Sequence, residues 1–336
     1  MSRQWLQRCK LVQLHRVATL IGSPCSGPKA DRIYGINQAV NEAVSLRAQN
    51  KALSVVSIDM GIRNLAYCHL TTQLPASGSC DSGPISLDSW QRVEIATTLG
   101  NTITKKASKA VSSIAQSTES VMLRPTAKPK QIKESFEPEV YAKHAYGFIK
   151  DIIDRHKPTH VLIERQRFRS GGAAAVQEWT LRVGVFEAMM YATLRTLNEQ
   201  HYCDCKVVPM SPNMVNRFWF SGQQGDEGLE EGMSTLDLAR KQSRGNRIKI
   251  QKIQIAADIL KRKTLERTSL AVFEEAQTTE NAFVARLSKK RTKPSTPIEV
   301  PKLDDLSDSL LQGLAWLMWQ KNRLRLNKLG EKFLDV

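Results

Sequence analysis

In VVSIDMGIRN, residues 55–64, a single aspartate, Asp59, interrupts an apolar run, and a second acid, Glu164, closes the apolar HVLIE of residues 160–164. A third group, Asp304, Asp305 and Asp308, opens KLDDLSDSLLQGLAW at residues 302–316. Ionised carboxylates are almost never fully buried unless they are paired or hold a metal, so Asp59 needs a partner. On an ideal helix Asp304 and Asp308 lie roughly 40° apart, and Asp305 and Asp308 roughly 60°, so all three can face one site. Clustered carboxylates repel one another and are stable together only with a compensating cation. Mg²⁺ takes hard oxygen ligands and bridges carboxylates to phosphates, and two such ions about 4 Å apart can activate water and stabilise a leaving oxygen. The chemistry this suggests is phosphodiester hydrolysis.

Each acid also has a plainer reading. Asp304 and Asp305 can cap a helix and complement its dipole. Glu164 can pair with Arg165 or Arg167. Asp59 is harder to dismiss, because it stands mid-strand with apolar neighbours.

The elements that must position these acids follow from periodicity. ALSVVSIDMG predicts a strand, and RNLAYCHL follows so closely that the two form a hairpin, with a third strand over Ser89–Ala96. An amphipathic helix, EPEVYAKHAYGFIKDIIDRHKP, is stopped by Pro158 and leads into the strand THVLIERQ. A long helix from Ala173 to Leu197 and a short strand, CKVVPMSP, come next. Strand, helix, strand, helix, strand in this order implies a partly parallel sheet with helices packed on it. GNRIKIQKIQIAADILKRK, residues 245–263, is a basic helix, and Leu303, Leu306, Leu310, Leu314 and Leu317 predict a buried stripe on the last helix, behind the acids. Upstream, Leu6 to Ile21 shows helical spacing ended by Gly22, and a second helix starts at Ser26-Gly27 and runs to about Val40. The expected organisation is a helical module at 1–45, a linker at 45–53 and a main domain at 53–328. Irregular insertions are expected near 99–134, 221–246 and 264–301.

With 49 Lys and Arg against 33 Asp and Glu in 336 residues, the formal charge is +16, and the excess is spread along the chain. Such a balance points to a polyanion, nucleic acid first. No run approaches the roughly 18 apolar residues of a membrane span, and a basic lipid-binding face lacks an amphipathic anchor. The six cysteines show no disulfide framework, and Cys203 and Cys205 have the wrong spacing for a zinc knuckle. Residues 1–30 carry Arg3, Arg8, Lys10, Arg16 and Lys29 and no acid, the composition of a mitochondrial transit peptide and equally of a basic helical module.

SIDMGIRNLAYC, LIERQRFRSGG and KLDDLSDSLLQGLAW, in this order and around a basic helix, closely resemble the fungal mitochondrial Holliday-junction resolvases, relatives of bacterial RuvC. The N-terminal LIGSPCSGPKADRI resembles a SAP-type DNA-binding module, with Lys29 as a DNA contact. The resemblance implies an α/β ribonuclease H-like fold with a mixed five-stranded sheet and flanking helices. It places the family's first-strand aspartate on Asp59, its fourth-strand glutamate on Glu164 and its helical aspartates within Asp304, Asp305 and Asp308, with Asp59, Glu164, Asp305 and Asp308 as metal ligands. It further implies Mg²⁺, with Mn²⁺ able to substitute, and a mitochondrial homodimer acting on four-way DNA junctions, with no small-molecule substrate and no membrane. Arg165, Arg167 and Arg169 would meet DNA backbone, and Phe168 would wedge at an opened base pair or simply pack. Lys249 and Lys252 share a helix face and would neutralise the scissile phosphate or remain surface lysines.

Two other classes compete. A junction-binding architectural protein on the same fold need not keep a costly acid in every block. An ATP-handling relative, in which DMG contacts phosphate, needs a second glycine-rich loop that is absent from the sequence.

Overall fold

The computed structural model describes residues 3–62, 64–75, 83–93, 137–166, 178–220, 235–266, 268–288 and 303–335, with the backbone alone for 235–245. A 3-10 turn (Gln4–Gln7) and two helices, α1 (Leu11–Ile21) and α2 (Lys29–Ala48), precede strands β1 (Leu53–Asp59), β2 (Leu65–Thr72) and β3 (Ile85–Val93). Then come α3 (Pro138–His156), β4 (His160–Glu164), α4 (Glu178–Glu199), β5 (Lys206–Met210) and α5 (Pro212–Phe220). The chain continues through α6 (Thr235–Arg262), β6 (Thr264–Leu265), β7 (Thr268–Val272), α7 (Glu274–Ser288) and α8 (Leu303–Leu329), and a 3-10 turn, Gly330–Asp335, follows.

The sheet order is β5-β4-β1-β2-β3-β7-β6. Strands β1, β2 and β3 form an antiparallel meander, while β4 and β5 run parallel to β1. These five strands make the mixed α/β sheet of a ribonuclease H-like fold. Two strands more than expected extend its edge: β7 pairs parallel with β3 at Ile85–Leu270, and β6 folds back on β7.

Strand β1 is buried on both faces, and the two-residue period assigns each face a layer. Leu53 and Val55 join a cluster with Leu310, Leu314 and Trp316 of α8, while Val56 and Ile58 join one with Phe148, Ile152 and Phe186 of α3 and α4. In β4, Leu162 belongs to the α8 side and Val161 and Ile163 to the other. Asp59 and Glu164 therefore fall in register with the α8 layer. Helix α8 is buried all round from Leu306 to Leu324 except at Asp308, so it runs through the core instead of lying on it.

The register of α8 on β1 is fixed by polar groups. Ser57 Oγ donates to Ser309 O at 2.8 Å, and Gln312 Nε2 donates to Ile58 O and Ser57 Oγ at 3.1 Å each. Cys68 Sγ of β2 reaches the same Ser309 carbonyl at 3.3 Å. A Cβ on Gly313 would stand 2.7 Å from Leu70 Cδ1, so the helix sits closer to the sheet than any larger residue there would allow.

The N-terminal helices close a third cluster that includes Leu326 and Phe333. Gly22 caps α1 at φ +62°, where a Cβ would lie 2.1 Å from the Trp319 ring, so both conformation and space require glycine. Arg323 Nε donates to Ile21 O at 2.8 Å and its Nη2 to Gly22 O at 3.2 Å, and Asn322 Nδ2 donates to Leu20 O at 2.9 Å. The terminal carbonyls of α1 are thus satisfied by α8 instead of by solvent.

Several boundaries differ from the sequence expectation. Helix α2 begins at Lys29, not Ser26, and continues to Ala48, well into the expected linker. Strand β3 begins at Ile85 and not at Ser89, because Ile85 and Leu87 turn inward beside a bulge at His69/Leu70 that the alternation conceals, and residues 94–96 of the expected strand lie outside those described. Residues 264–301, expected to be irregular, hold β6, β7 and the whole of α7, and α6 reaches back to Thr235 inside the expected 221–246 loop. The expected insertion at 99–134 lies outside the described residues. Among those described, no helix is long and apolar enough to cross a membrane.

Replacing Arg323 with Leu leaves two buried helix-end carbonyls without donors and is expected to cost about 2 kcal/mol. Urea unfolding of the full chain measures this. A change below about 0.5 kcal/mol would show that the N-terminal helices are held by their apolar cluster alone.

Candidate active site

The parallel pairing of β1 and β4 at Ile58–Ile163 brings the next residue of each strand, Asp59 and Glu164, side by side at the carboxyl edge of the sheet. Carboxyl ends of parallel strands are where chain and ligand meet in α/β sheets, because the strands stop there while the flanking layers continue. Asp59 is only 8 % exposed. Its carboxyl is held well above the usual carboxylate range, first by burial, then by a hydrogen bond with Glu164 and by the charges of Glu164, Asp308 and Asp305.

The first two turns of α8 supply the remaining acids. Lys252 Nζ of α6 stands 2.9 Å from Asp308 Oδ1, and Lys249 Nζ donates to Asp304 Oδ2 at 2.8 Å. Burial pushes the Asp308 carboxyl up, Lys252 pulls it down, and Glu164 and Asp304 push it up again. The hydrogen bond to Asp304 raises Lys249, with smaller contributions from the charges of Asp305 and Asp308. The basic helix thus lays two ammonium groups across the acid group, as the three-residue spacing allows.

The structure brings together Asp59, Glu164, Asp304, Asp305, Asp308, Lys249 and Lys252 from β1, β4, α6 and α8. Arg165 follows Glu164 directly, and its backbone N–H extends the sheet by donating to Met210 O at 2.8 Å. Its guanidinium lies within electrostatic reach of Glu187 and Tyr191 on α4. Arg167, Phe168 and Arg169 lie outside the described residues. Lys29 stands apart: it belongs to the N-terminal module at the other end of α8, where its Nζ donates to Gln7 O at 2.6 Å.

Among the described residues, no three His, Cys, Asp or Glu side chains already converge on a point as metal ligands. The acids of α8 are set against lysines instead. The donor set nonetheless suits a hard divalent cation: every donor is a carboxylate oxygen, and Asp59 is withdrawn from water.

The sequence reading missed two residues that touch this site. Gln312 is a polar residue inside an apolar helical run, which was a usable signal. Glu187 sits in VFEAMM on α4 and accepts the Gln166 N–H at 3.2 Å, with nothing in its spacing to tie it to Glu164.

The comparisons agree with this geometry. A family described as "Mitochondrial resolvase Ydc2 / RNA splicing MRS1", catalytic domain, matches residues 55–326. The chain belongs to this family. The match runs from the first residues of β1 to near the end of α8, and so takes in every acid and both lysines. A curated relative, cruciform cutting endonuclease 1, mitochondrial, of Schizosaccharomyces pombe, is 23 % identical over 97 % of this chain and 98 % of its own length. The protein of the same name from Saccharomyces cerevisiae is 26 % identical over 49 % of each chain. The crystal structure of the yeast mitochondrial Holliday junction resolvase Ydc2 superposes with a TM-score of 0.54 at 20 % identity, covering 96 % of this chain and 99 % of that one. The family member's fold is therefore that of a known resolvase, including its N-terminal part.

An aspartate whose folded-state carboxyl is raised destabilises the folded chain at every pH above its unfolded value, and the penalty fades as pH falls through the raised value. Asp59→Asn removes that penalty without changing shape. In metal-free buffer at neutral pH the variant is expected to be more stable than wild type by about 1–2 kcal/mol, with the advantage shrinking on acidification. Equal or lower stability at neutral pH, by urea titration, would mean that Asp59 is well compensated.

Proposed function

We propose that this chain is a structure-selective endonuclease that resolves four-way (Holliday) DNA junctions by metal-dependent phosphodiester hydrolysis, serving DNA recombination in mitochondria. The observation that carries the reading is the meeting of Asp59 and Glu164 with the acids of α8 under two lysines, within a family that includes mitochondrial resolvases. The curated relatives named as mitochondrial cruciform cutting endonucleases support the substrate class and the compartment.

Asp59, Glu164, Asp305 and Asp308 would hold Mg²⁺, with Mn²⁺ as an acceptable substitute, and Asp304 would hold Lys249 in place. The cation supplies Lewis-acid chemistry at the scissile phosphate. The chain's own residues do the rest. Lys249 and Lys252, held at the rim of the acids, keep positive charge where the phosphate and its leaving oxygen must lie. Arg165, Arg167 and Arg169 would track DNA backbone beside the cut, and Phe168 would press on an opened base step. A formal charge of +16 supports the affinity that such a substrate requires. The N-terminal helices, with Lys29 and exposed Val12 and Tyr34, form a second DNA-binding surface in this reading. A homodimer would present two such sites to symmetry-related strands of the junction.

The decisive experiment compares wild type with Asp59→Asn on a labelled four-way junction and on a linear duplex of the same sequence, with and without Mg²⁺. The expected result is paired nicks on the junction alone, dependent on Mg²⁺, falling by more than about a thousandfold in the variant while junction binding persists. Tight binding without cleavage under Mg²⁺ or Mn²⁺ would point instead to an architectural junction-binding protein.

A further inference from the structure

We propose that Glu187 is a positioning residue for the active site: its carboxylate on α4 fixes the exit of β4 and thereby the placement of Glu164. The inference rests on the reading of Glu164 as part of a hydrolytic site.

The sheet ladder ends one residue past Glu164, where Arg165 N–H donates to Met210 O at 2.8 Å. Gln166 N–H is the first amide beyond it, and Glu187 Oε2 accepts that amide at 3.2 Å. Glu164 is thus bracketed, with the β1–β4 and β4–β5 pairings on its amino side and a ladder bond and a tether to α4 on its carboxyl side. The tether matters because it bonds the end of β4 directly to α4. Helix α4 is itself a rigid platform, anchored in the core by Val183, Phe186, Met190, Leu194 and Leu197. A side chain from such a platform transmits its position to whatever it holds.

The choice of residue is costly on structural grounds. Glu187 is half-buried, and burial and the charge of Glu164 both push its carboxyl up, opposed by the Gln166 N–H and by Arg165. Tyr191, one turn on, places in the same field a buried hydroxyl that has no hydrogen-bond partner among the described residues. A side chain that served only to fill this corner would avoid a second negative charge beside Glu164. An acceptor that must hold the strand exit accounts for it, since a carboxylate takes an amide N–H about twice as strongly as a neutral acceptor does.

The test compares Glu187→Ala, which removes the acceptor, with Glu187→Gln, which keeps an acceptor oxygen on a side chain of the same length. Two readouts are taken: amide hydrogen exchange at Gln166, and kcat and KM on a four-way junction with saturating Mg²⁺. The expected result for the alanine variant is faster Gln166 exchange and a kcat about tenfold lower at unchanged KM, because small misplacements of a reacting group cost rate before they cost binding. The glutamine variant is expected to keep exchange protection and stay within about threefold of wild-type kcat. Unchanged exchange or unchanged kcat in the alanine variant overturns the proposal, and so does a glutamine variant as impaired as alanine, since the charge and not the tether would then be what counts. If wild type itself cleaves no junction, the proposed function fails, while the exchange comparison still decides whether Glu187 holds the strand exit.

Discussion

Everything the site requires depends on where α8 sits along β1, and four polar groups decide that. Apolar contacts between a helix and a sheet are non-directional, so a helix held by them alone can slide by a fraction of a turn at little cost. The hydrogen bonds from Ser57 and Gln312 have no such freedom. Gln312 spans two groups on β1 and lies one helical turn beyond Asp308, while Ser57 stands two residues before Asp59 on the same face of the strand. The bond network that registers the helix is therefore adjacent on both sides to the acids that must meet. Gly313 completes the constraint by letting the helix backbone approach Leu70 and Ser57 too closely for any side chain. Buried polar groups of this kind contribute more to uniqueness than to stability, and uniqueness is what a site assembled from four separate elements needs.

The second consequence of that register is electrostatic tension. Bringing Asp59, Glu164 and the acids of α8 together withdraws carboxylates from water and sets them against each other, and the chain answers with the means at hand. Lys252 and Lys249 lie against Asp308 and Asp304. The dipole at the amino end of α8 also favours negative charge in its first turn. None of these fully compensates Asp59, whose carboxyl stays high. A core optimised for stability alone would not be built this way, which is why the arrangement reads as functional and not as a set of helix caps.

Much of this was legible from residue patterns because the decisive features are local violations of pattern. An acid within an apolar strand is visible in SIDMG, where it reads as mid-strand although β1 ends at Asp59, an acid closing a strand is visible in HVLIE, and three acids ahead of a leucine stripe are visible in LDDLSDSLL. The order of strands and helices implied a partly parallel sheet with helices packed on it, and the pairing of β1 with β4 is what puts both acids at its carboxyl edge. What was hidden has physical reasons. Strands β6 and β7 are two and five residues long, and they exist because the open edge of β3 pairs with Leu270 and because Lys321 of α8 donates to Thr268 Oγ1 at 2.7 Å, neither of which leaves a sequence period. Helix α2 overran its expected end because a polar, exposed final turn looks like a linker. Glu187 acts across a connection from another element, and long-range hydrogen bonds have no signature in spacing.

The same helix that carries the acids also carries the N-terminal helices, and this links two regions that the sequence presents as separate. From Asp308 to Arg323 is about 22 Å along the helix axis. One end of α8 enters the acid group and the other satisfies the carbonyls of α1 and stacks Trp319 against Gly22. Helix α8 is buried on every side from Leu306 to Leu324 except at Asp308, so the acid group and the N-terminal helices are seated on one packed element, although nothing in the spacing of either segment reveals that they share it.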